Sequence, residues 1–202
     1  MEFGVTIPNM GGPASRETLV RLAQEAEALG FDALWVSDHI VLPQRTVSRY
    51  PYSSSGVIGV APTEDVYEPL AVMAFLAGMT QRIRVGVSVL VVPYRNPVLT
   101  AKFLATLDIL TGGRVLLGAG VGWLKEEFDA LASHYEDRGP ITDEYIQVMK
   151  ALWTQEEPAF EGRFYRLPPG IRFHPKPVQR PHIPLWIGGN TPPALRRAAR
   201  LG

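Results

Sequence analysis

Five short runs of apolar, β-compatible residues punctuate this chain, beginning near positions 3, 34, 84, 114 and 184, and a helical pattern follows each one. A strand joined to its neighbour through a helix returns in the same direction, so the alternation dictates a parallel α/β sheet. Doubly wound sheets and closed barrels both meet that requirement. Periodicity alone leaves the two open.

The ends of the elements are marked by their chemistry. Residues 3–7 read as the first strand, ended by Pro8-Asn9 and a glycine-rich turn. Ser15 is placed to cap a helix with Glu17 in its first turn, while Leu19, Leu22, Ala23, Ala26 and Leu29 recur at helical spacing until Gly30. The pattern predicts a strand over 33–36, a helix over about 69–80, and a strand over 83–92 buried on both faces. Asn96 then caps a helix with Pro97 at its first position, and Leu99, Phe103, Leu107 and Leu110 form its expected buried stripe, closed by Gly112-Gly113. The strand over 114–117 runs into Gly118-Ala119-Gly120-Val121-Gly122-Trp123.

Beyond it, Leu124, Phe128 and Leu131 share one helix face. Thr142 is expected to cap a helix opening at Asp143-Glu144, with Val148, Met149, Leu152 and Trp153 on its core side. Residues 160–167 alternate and turn at Glu161-Gly162, a hairpin outside the main sheet. A proline-rich connection over 168–181 leads to a strand over 184–187, then Gly188-Gly189 and a last helix capped by Thr191. One domain spans 1–202. Two segments break its rhythm: a polar and aromatic loop over 40–67, read as a flap over a pocket, and an insertion over 155–183.

The strand over 33–36 delivers Asp38 and His39 side by side to its carboxyl end, the rim at which parallel α/β sheets bind ligands. The plainer reading makes Asp38 a cap and His39 a surface loop residue. The glycine run at 118–122 lacks the spacing of the dinucleotide fingerprint, and no acid ends a following strand to hold a ribose. Its glycines allow a flat ring or phosphate to approach backbone, or simply tight packing at the rim. Gly188-Gly189-Asn190-Thr191 leaves a strand and opens a helix, so free N–H groups and the helix dipole converge on a spot suited to phosphate. Ordinary turn chemistry is the other reading.

Several function classes fall away. His134, His174 and His182 are scattered, and no His-x-His or Glu-rich cluster has ligand spacing, so no metal site is expected. A Gly-x-Ser-x-Gly nucleophile turn is absent. The chain has no cysteine, which excludes disulfides and thiolate metal sites. Twenty basic residues balance twenty acidic ones, removing the electrostatic case for nucleic acid or an anionic membrane surface. The most apolar run, residues 70–79, is too short to span a bilayer, and no secretory segment opens the chain. A soluble, cytoplasmic protein is expected.

Taken together, the motifs resemble the luciferase-like monooxygenase superfamily, and within it the coenzyme F420-dependent oxidoreductases. The matching pieces are Trp35-Val36-Ser37-Asp38-His39, Ser48-Arg49-Tyr50-Pro51-Tyr52, Ser88-Val89-Leu90 and Pro93-Tyr94-Arg95-Asn96-Pro97. They continue through Gly118 to Trp123, Glu126-Glu127-Phe128, Arg138-Gly139, Asp143-Glu144 and Pro184-Leu185-Trp186-Ile187-Gly188-Gly189. The resemblance implies a TIM-like (β/α)8 barrel, of which about the first five main strands and the insertion region are present. It implies a deazaflavin or flavin ring across the barrel's carboxyl end, facing Asp38 and His39, with His39 as proton donor or acceptor and Asp38 orienting or hydrogen-bonding that machinery. It further implies a cis peptide at Ser88-Val89 behind the ring, and Val121 and Trp123 at the ring's edge. F420-dependent glucose-6-phosphate dehydrogenases carry hydrogen-bonding or acidic residues at those two positions, so a more apolar substrate is expected here.

On this reading the cofactor-binding residues are Asp38, His39, Ser88, Val89, Gly120, Val121, Gly122, Trp123, Gly188, Gly189 and Thr191. The expected activity is hydride transfer between coenzyme F420 and a small organic substrate. An FMN-dependent monooxygenase and a non-catalytic cofactor-binding protein or inactive fragment are the alternatives. Relatives continue past the Arg-Leu-Gly end with further βα units, so a truncated form is expected, and homodimers are common among them.

Overall fold

In the computed structural model, which describes residues 1–202, strand and helix alternate as the sequence requires. The elements in order are β1 (Gly4–Thr6), α1 (Arg16–Ala28), β2 (Ala33–Val36), α2 (Pro69–Met79), β3 (Arg84–Val91), α3 (Pro97–Thr111) and β4 (Val115–Gly120). They continue with α4 (Lys125–Ala130), α5 (Arg138–Thr154), β5 (Phe160–Glu161), β6 (Arg166–Leu167), β7 (Leu185–Ile187) and α6 (Pro192–Leu201). The main sheet has the order β1-β2-β3-β4-β7, every pair parallel. A doubly wound sheet reverses its strand order at a switch point, whereas this sheet advances one strand at a time as a barrel wall does. β5 and β6 form a separate antiparallel hairpin within the insertion.

Local chemistry accounts for the boundaries. The Ser15 hydroxyl accepts from the Thr18 amide at the start of α1, and Asn96 accepts from the amides of Val98 and Leu99 at the start of α3. Gly112 ends α3 with φ 66°, a left-handed conformation that costs glycine nothing. In the sheet, Trp35 needs glycine on both sides. A Cβ at Gly4 would fall 2.4 Å from its Nε1, and one at Gly86 2.5 Å from its Cζ3. Trp35 then meets Trp186 of β7, ring centroids 5.4 Å apart.

The amino ends of the strands are tied down by three hydrogen-bonding hubs. Glu27 accepts from the amides of Gln81, Arg82 and Ile83. Arg114 donates to the carbonyls of Ala77, Thr80 and Ile83. Asp108, fully buried in α3, accepts from the amides of Val178 and Gln179 and seats the irregular segment before β7. These links leave the carboxyl rim as the face with loops to spare.

Several expectations need correction. The buried face of α3 carries Thr100, Ala101, Leu104, Ala105, Leu107 and Asp108, while Leu99 and Leu110 are 71% and 78% exposed. That helix is apolar nearly all round, so small alanines, which let β-strand and α5 come close, select the face. Leu29 is exposed as the C-cap of α1 rather than part of its stripe. The α5 helix opens at Arg138, not at Thr142. Pro140 lies in its first turn, where no amide donor is needed, and Thr142 is buried inside it with its hydroxyl donating to the Arg138 carbonyl. β3 is not buried throughout, because Ser88 is exposed and Val89 half-buried, and the register with β4 shifts between Val87 and Leu90. The Ser88-Val89 peptide is cis. β4 also extends through Gly118 and Gly120, and Thr191 occupies the N-cap of α6 without a side-chain bond to its amides. No helix is long and apolar enough to cross a membrane.

Candidate active site

The turn after β2 is fixed by one buried side chain. Asn9 accepts from the Ser37 amide and donates to the carbonyls of Ser37 and Tyr67, all within 3.0 Å. Asp38 and His39 therefore leave the strand in set directions, and both are buried, at 5% and 7% exposure. They do not work on one another. Asp38 accepts both guanidinium nitrogens of Arg95, at 2.7 and 2.9 Å, and the Val91 amide at 2.7 Å. Burial pushes the Asp38 carboxyl up, against the pull of Arg95 and Val91. Every contact donates to it, so the geometry describes a carboxylate spent on holding the rim of β3. Arg95 extends the chain of charges to Glu68, the cap of α2, at 2.8 Å.

His39 turns the other way. Its Nδ1 lies 2.7 Å from Oε2 of Glu127, a fully buried residue of α4. Glu127 also accepts from the amides of Ile40 and Val41 and from the Tyr94 hydroxyl at 2.9 Å. Burial alone would raise the Glu127 carboxyl, but the bonds from His39 and the two amides hold it below its ordinary value. The His39 Nε2 makes no hydrogen bond to the protein and is not sealed from solvent.

The residues expected at the site all line one cleft of about 770 Å³: Asp38, His39, Ser88, Val89, Gly120 to Trp123, Gly188, Gly189 and Thr191. Its floor is Val89, clasped between glycines. A Cβ at Gly120 would fall 2.3 Å from one Val89 methyl, and one at Gly188 2.6 Å from the other. Its wall beside His39 is aromatic. Trp123 meets the His39 ring edge-on at 6.0 Å and Tyr50 at 5.1 Å, and Tyr50 meets Tyr52 at 5.6 Å. Tyr50 and Tyr52 come from the 40–67 loop, which has no helix or strand and is joined to the body by an isolated bridge between Met10 and Val66. Arg138, Arg197 and the start of α6 line the same cleft.

The sequence alone assigned no role to Glu127, Tyr94 or Arg95, although each lies within one of the family-like motifs. Glu127 carried a readable signal: it lies between Leu124 and Phe128 on an apolar stripe, where a carboxylate must be buried and therefore paired. Arg95 and Tyr94 had none, since their partners are 57 and 33 residues away.

A sequence model described as luciferase-like monooxygenase matches residues 1–202. The chain belongs to that family. Within this luciferase-like family it is 32% identical over 188 residues to an F420-dependent glucose-6-phosphate dehydrogenase of Amycolatopsis mediterranei, covering 91% of this chain and 51% of the relative. It is 34% identical over 163 residues to an FMNH2-dependent dimethylsulfone monooxygenase of Pseudomonas putida, covering 79% and 44%. The crystal structure of a monooxygenase, RslO1, from Streptomyces bottropensis superposes with a TM-score of 0.78 at 27% identity, covering 99% of this chain and 57% of that one. The luciferase-like chain described here spans between 44% and 62% of the length of curated relatives that it matches, uncharacterized mycobacterial proteins among them.

Proposed function

We propose that this chain belongs to an F420-dependent oxidoreductase that moves a hydride between the deazaflavin and a small, uncharged organic substrate. One observation carries the reading: a buried imidazole with Nδ1 held by Glu127 and Nε2 free at the cleft. A histidine so placed can take or give the proton that accompanies the hydride.

The residues present fit such a cofactor. Gly120, Gly122, Gly188 and Gly189 keep side chains off one wall, so a flat ring can lie against backbone with Ser88-Val89 beneath it. Among the lining residues, the Arg138 Nε is buried with no hydrogen-bond partner, an unanswered donor in the cleft that the α6 terminus also lines, where a phosphate would be welcome. Bound there, the deazaflavin would supply a carbon that accepts or releases hydride. His39 would hold the proton at Nε2 and exchange it with the substrate's heteroatom. Trp123, Tyr50, Tyr52 and Ile58 would exclude water and favour an apolar or aromatic substrate. Asp38, tied up by Arg95, would set the position of the rim and take no proton.

An FMN-dependent monooxygenase is the second reading, favoured by the dimethylsulfone monooxygenase match. A small-molecule substrate, a cytoplasmic setting and a homodimer belong to the same proposal. Anaerobic turnover separates the two cofactor chemistries, because a monooxygenase must consume oxygen. Turnover with F420 in the absence of oxygen is expected, and His39→Ala is expected to slow it about 10²-fold or more while leaving cofactor affinity nearly intact. Unchanged turnover in that variant would remove His39 from the mechanism.

A further inference from the structure

We propose that Glu127 is a positioning residue that fixes His39 in the tautomer with its proton on Nδ1, leaving Nε2 as the one nitrogen that exchanges protons with the cleft. The inference deepens, and rests on, the reading of His39 as the proton carrier.

It follows from counting donors around one buried carboxylate. Oε1 of Glu127 faces the Ile40 and Val41 amides at 2.5 and 3.1 Å, groups that can only donate. Oε2 faces the Tyr94 hydroxyl and His39 Nδ1. Burial, then the charge of Glu127, push the Tyr94 phenol well above its ordinary value, so it keeps its proton and donates. Glu127 is itself held in its charged form and has no proton to give. The Nδ1 contact at 2.7 Å is then satisfied in only one way, with the proton on Nδ1. The logic is that of an acid orienting a catalytic imidazole, here delivered from α4 rather than from the residue beside the histidine.

The same counting says what a glutamine would do. In Glu127→Gln the amide oxygen must stay on the two backbone donors, so its NH2 group lands opposite Nδ1 and offers a proton. His39 is forced into the other tautomer, with Nε2 occupied, at almost no change in volume. A residue that merely braced the 40–41 turn would keep its bonds to Ile40 and Val41 and leave the ring unaltered.

The test is 15N NMR of histidine-labelled protein at a pH alkaline enough for the ring to be neutral. His39 is one of four histidines and is assigned by its disappearance in His39→Ala. The wild-type spectrum is expected to show Nδ1 protonated and Nε2 bare, Glu127→Gln the reverse, and Tyr94→Phe the wild-type pattern. Turnover in the direction that requires Nε2 to accept a proton should fall about 10²-fold or more in Glu127→Gln. A proton on Nε2 in the wild type, or an unaltered tautomer in Glu127→Gln, overturns the inference. If Glu127→Gln does not fold, the wild-type spectrum alone decides. A reversed tautomer with turnover unchanged in both Glu127→Gln and His39→Ala upholds the positioning and sinks the proton-carrier reading instead.

Discussion

Replacing Arg95 with methionine removes the guanidinium that neutralises Asp38, whose side chain is fully buried while that of Arg95 is 15% exposed. Breaking a buried pair in this way typically costs 3–5 kcal/mol, because the remaining charge is stranded. The ceiling can be worked out independently. Stranded Asp38 escapes by taking up a proton, and protonating a carboxyl of ordinary pKa ~3.9 at pH 7 costs about 4 kcal/mol at 1.36 kcal/mol per unit. The two figures agree, and for a chain of this length they correspond to a fall in Tm of roughly 6–16 °C.

The proton also sets the pH dependence. In the variant the folded-state pKa of Asp38 lies above its unfolded value, so the penalty is absent at acid pH and grows as pH rises. Urea unfolding at pH 7 and pH 5 should therefore show the deficit shrinking by up to about 1.4 kcal/mol per unit on acidification. Adding Asp38→Asn, which removes the charge, should recover most of the loss at pH 7. A deficit below about 1 kcal/mol, the range of exposed pairs, would refute the argument. So would a deficit that ignores both pH and Asp38→Asn.

Two further outcomes follow from other parts of the structure. Leu104→Ala should cost about 2–5 kcal/mol, whereas Leu99→Ala on the exposed side of α3 should stay within about 0.5 kcal/mol; comparable losses by thermal melting would put the wrong face inward. Glu126 accepts from the amides of Val47 and Ser48; burial opposes its charge, but the bonds from Ser48 and Val47 draw its carboxyl down to about 2. A carboxyl depressed when folded contributes stability above its unfolded pKa and loses it as pH falls toward 2. Glu126→Gln should accordingly speed hydrogen exchange at the Val47 and Ser48 amides at neutral pH, and unchanged exchange would mean that the loop is held elsewhere.

The parts of this fold that were legible in the sequence are those written in local chemistry. Ser15, Asn96 and Gly112 each mark a helix end by a bond made within a few residues, Pro97 does so by its fixed backbone angle, and the strand over 33–36 was read to the residue. The glycines and the Asp38-His39 pair could be placed at one rim because every carboxyl end of a parallel sheet faces the same side. The reading failed where local pattern is degenerate. In α3 apolar residues fall on every side of the helix, so the inward face was chosen by packing and not by periodicity. At α5 the Thr142-Asp143-Glu144 run has the pattern of a helix start, yet the helix already opens at Arg138, because its first turn tolerates Gly139 and Pro140. The site's charge pairs were invisible for another reason: Asp38 with Arg95 and His39 with Glu127 meet across 57 and 88 residues.

The most direct test of the central claim is a parallel titration of the 202-residue chain with F420 and with FMN, followed by absorbance and fluorescence. The account predicts saturable binding of F420, tighter than that of FMN. Tighter binding of FMN, or of neither, would contradict it.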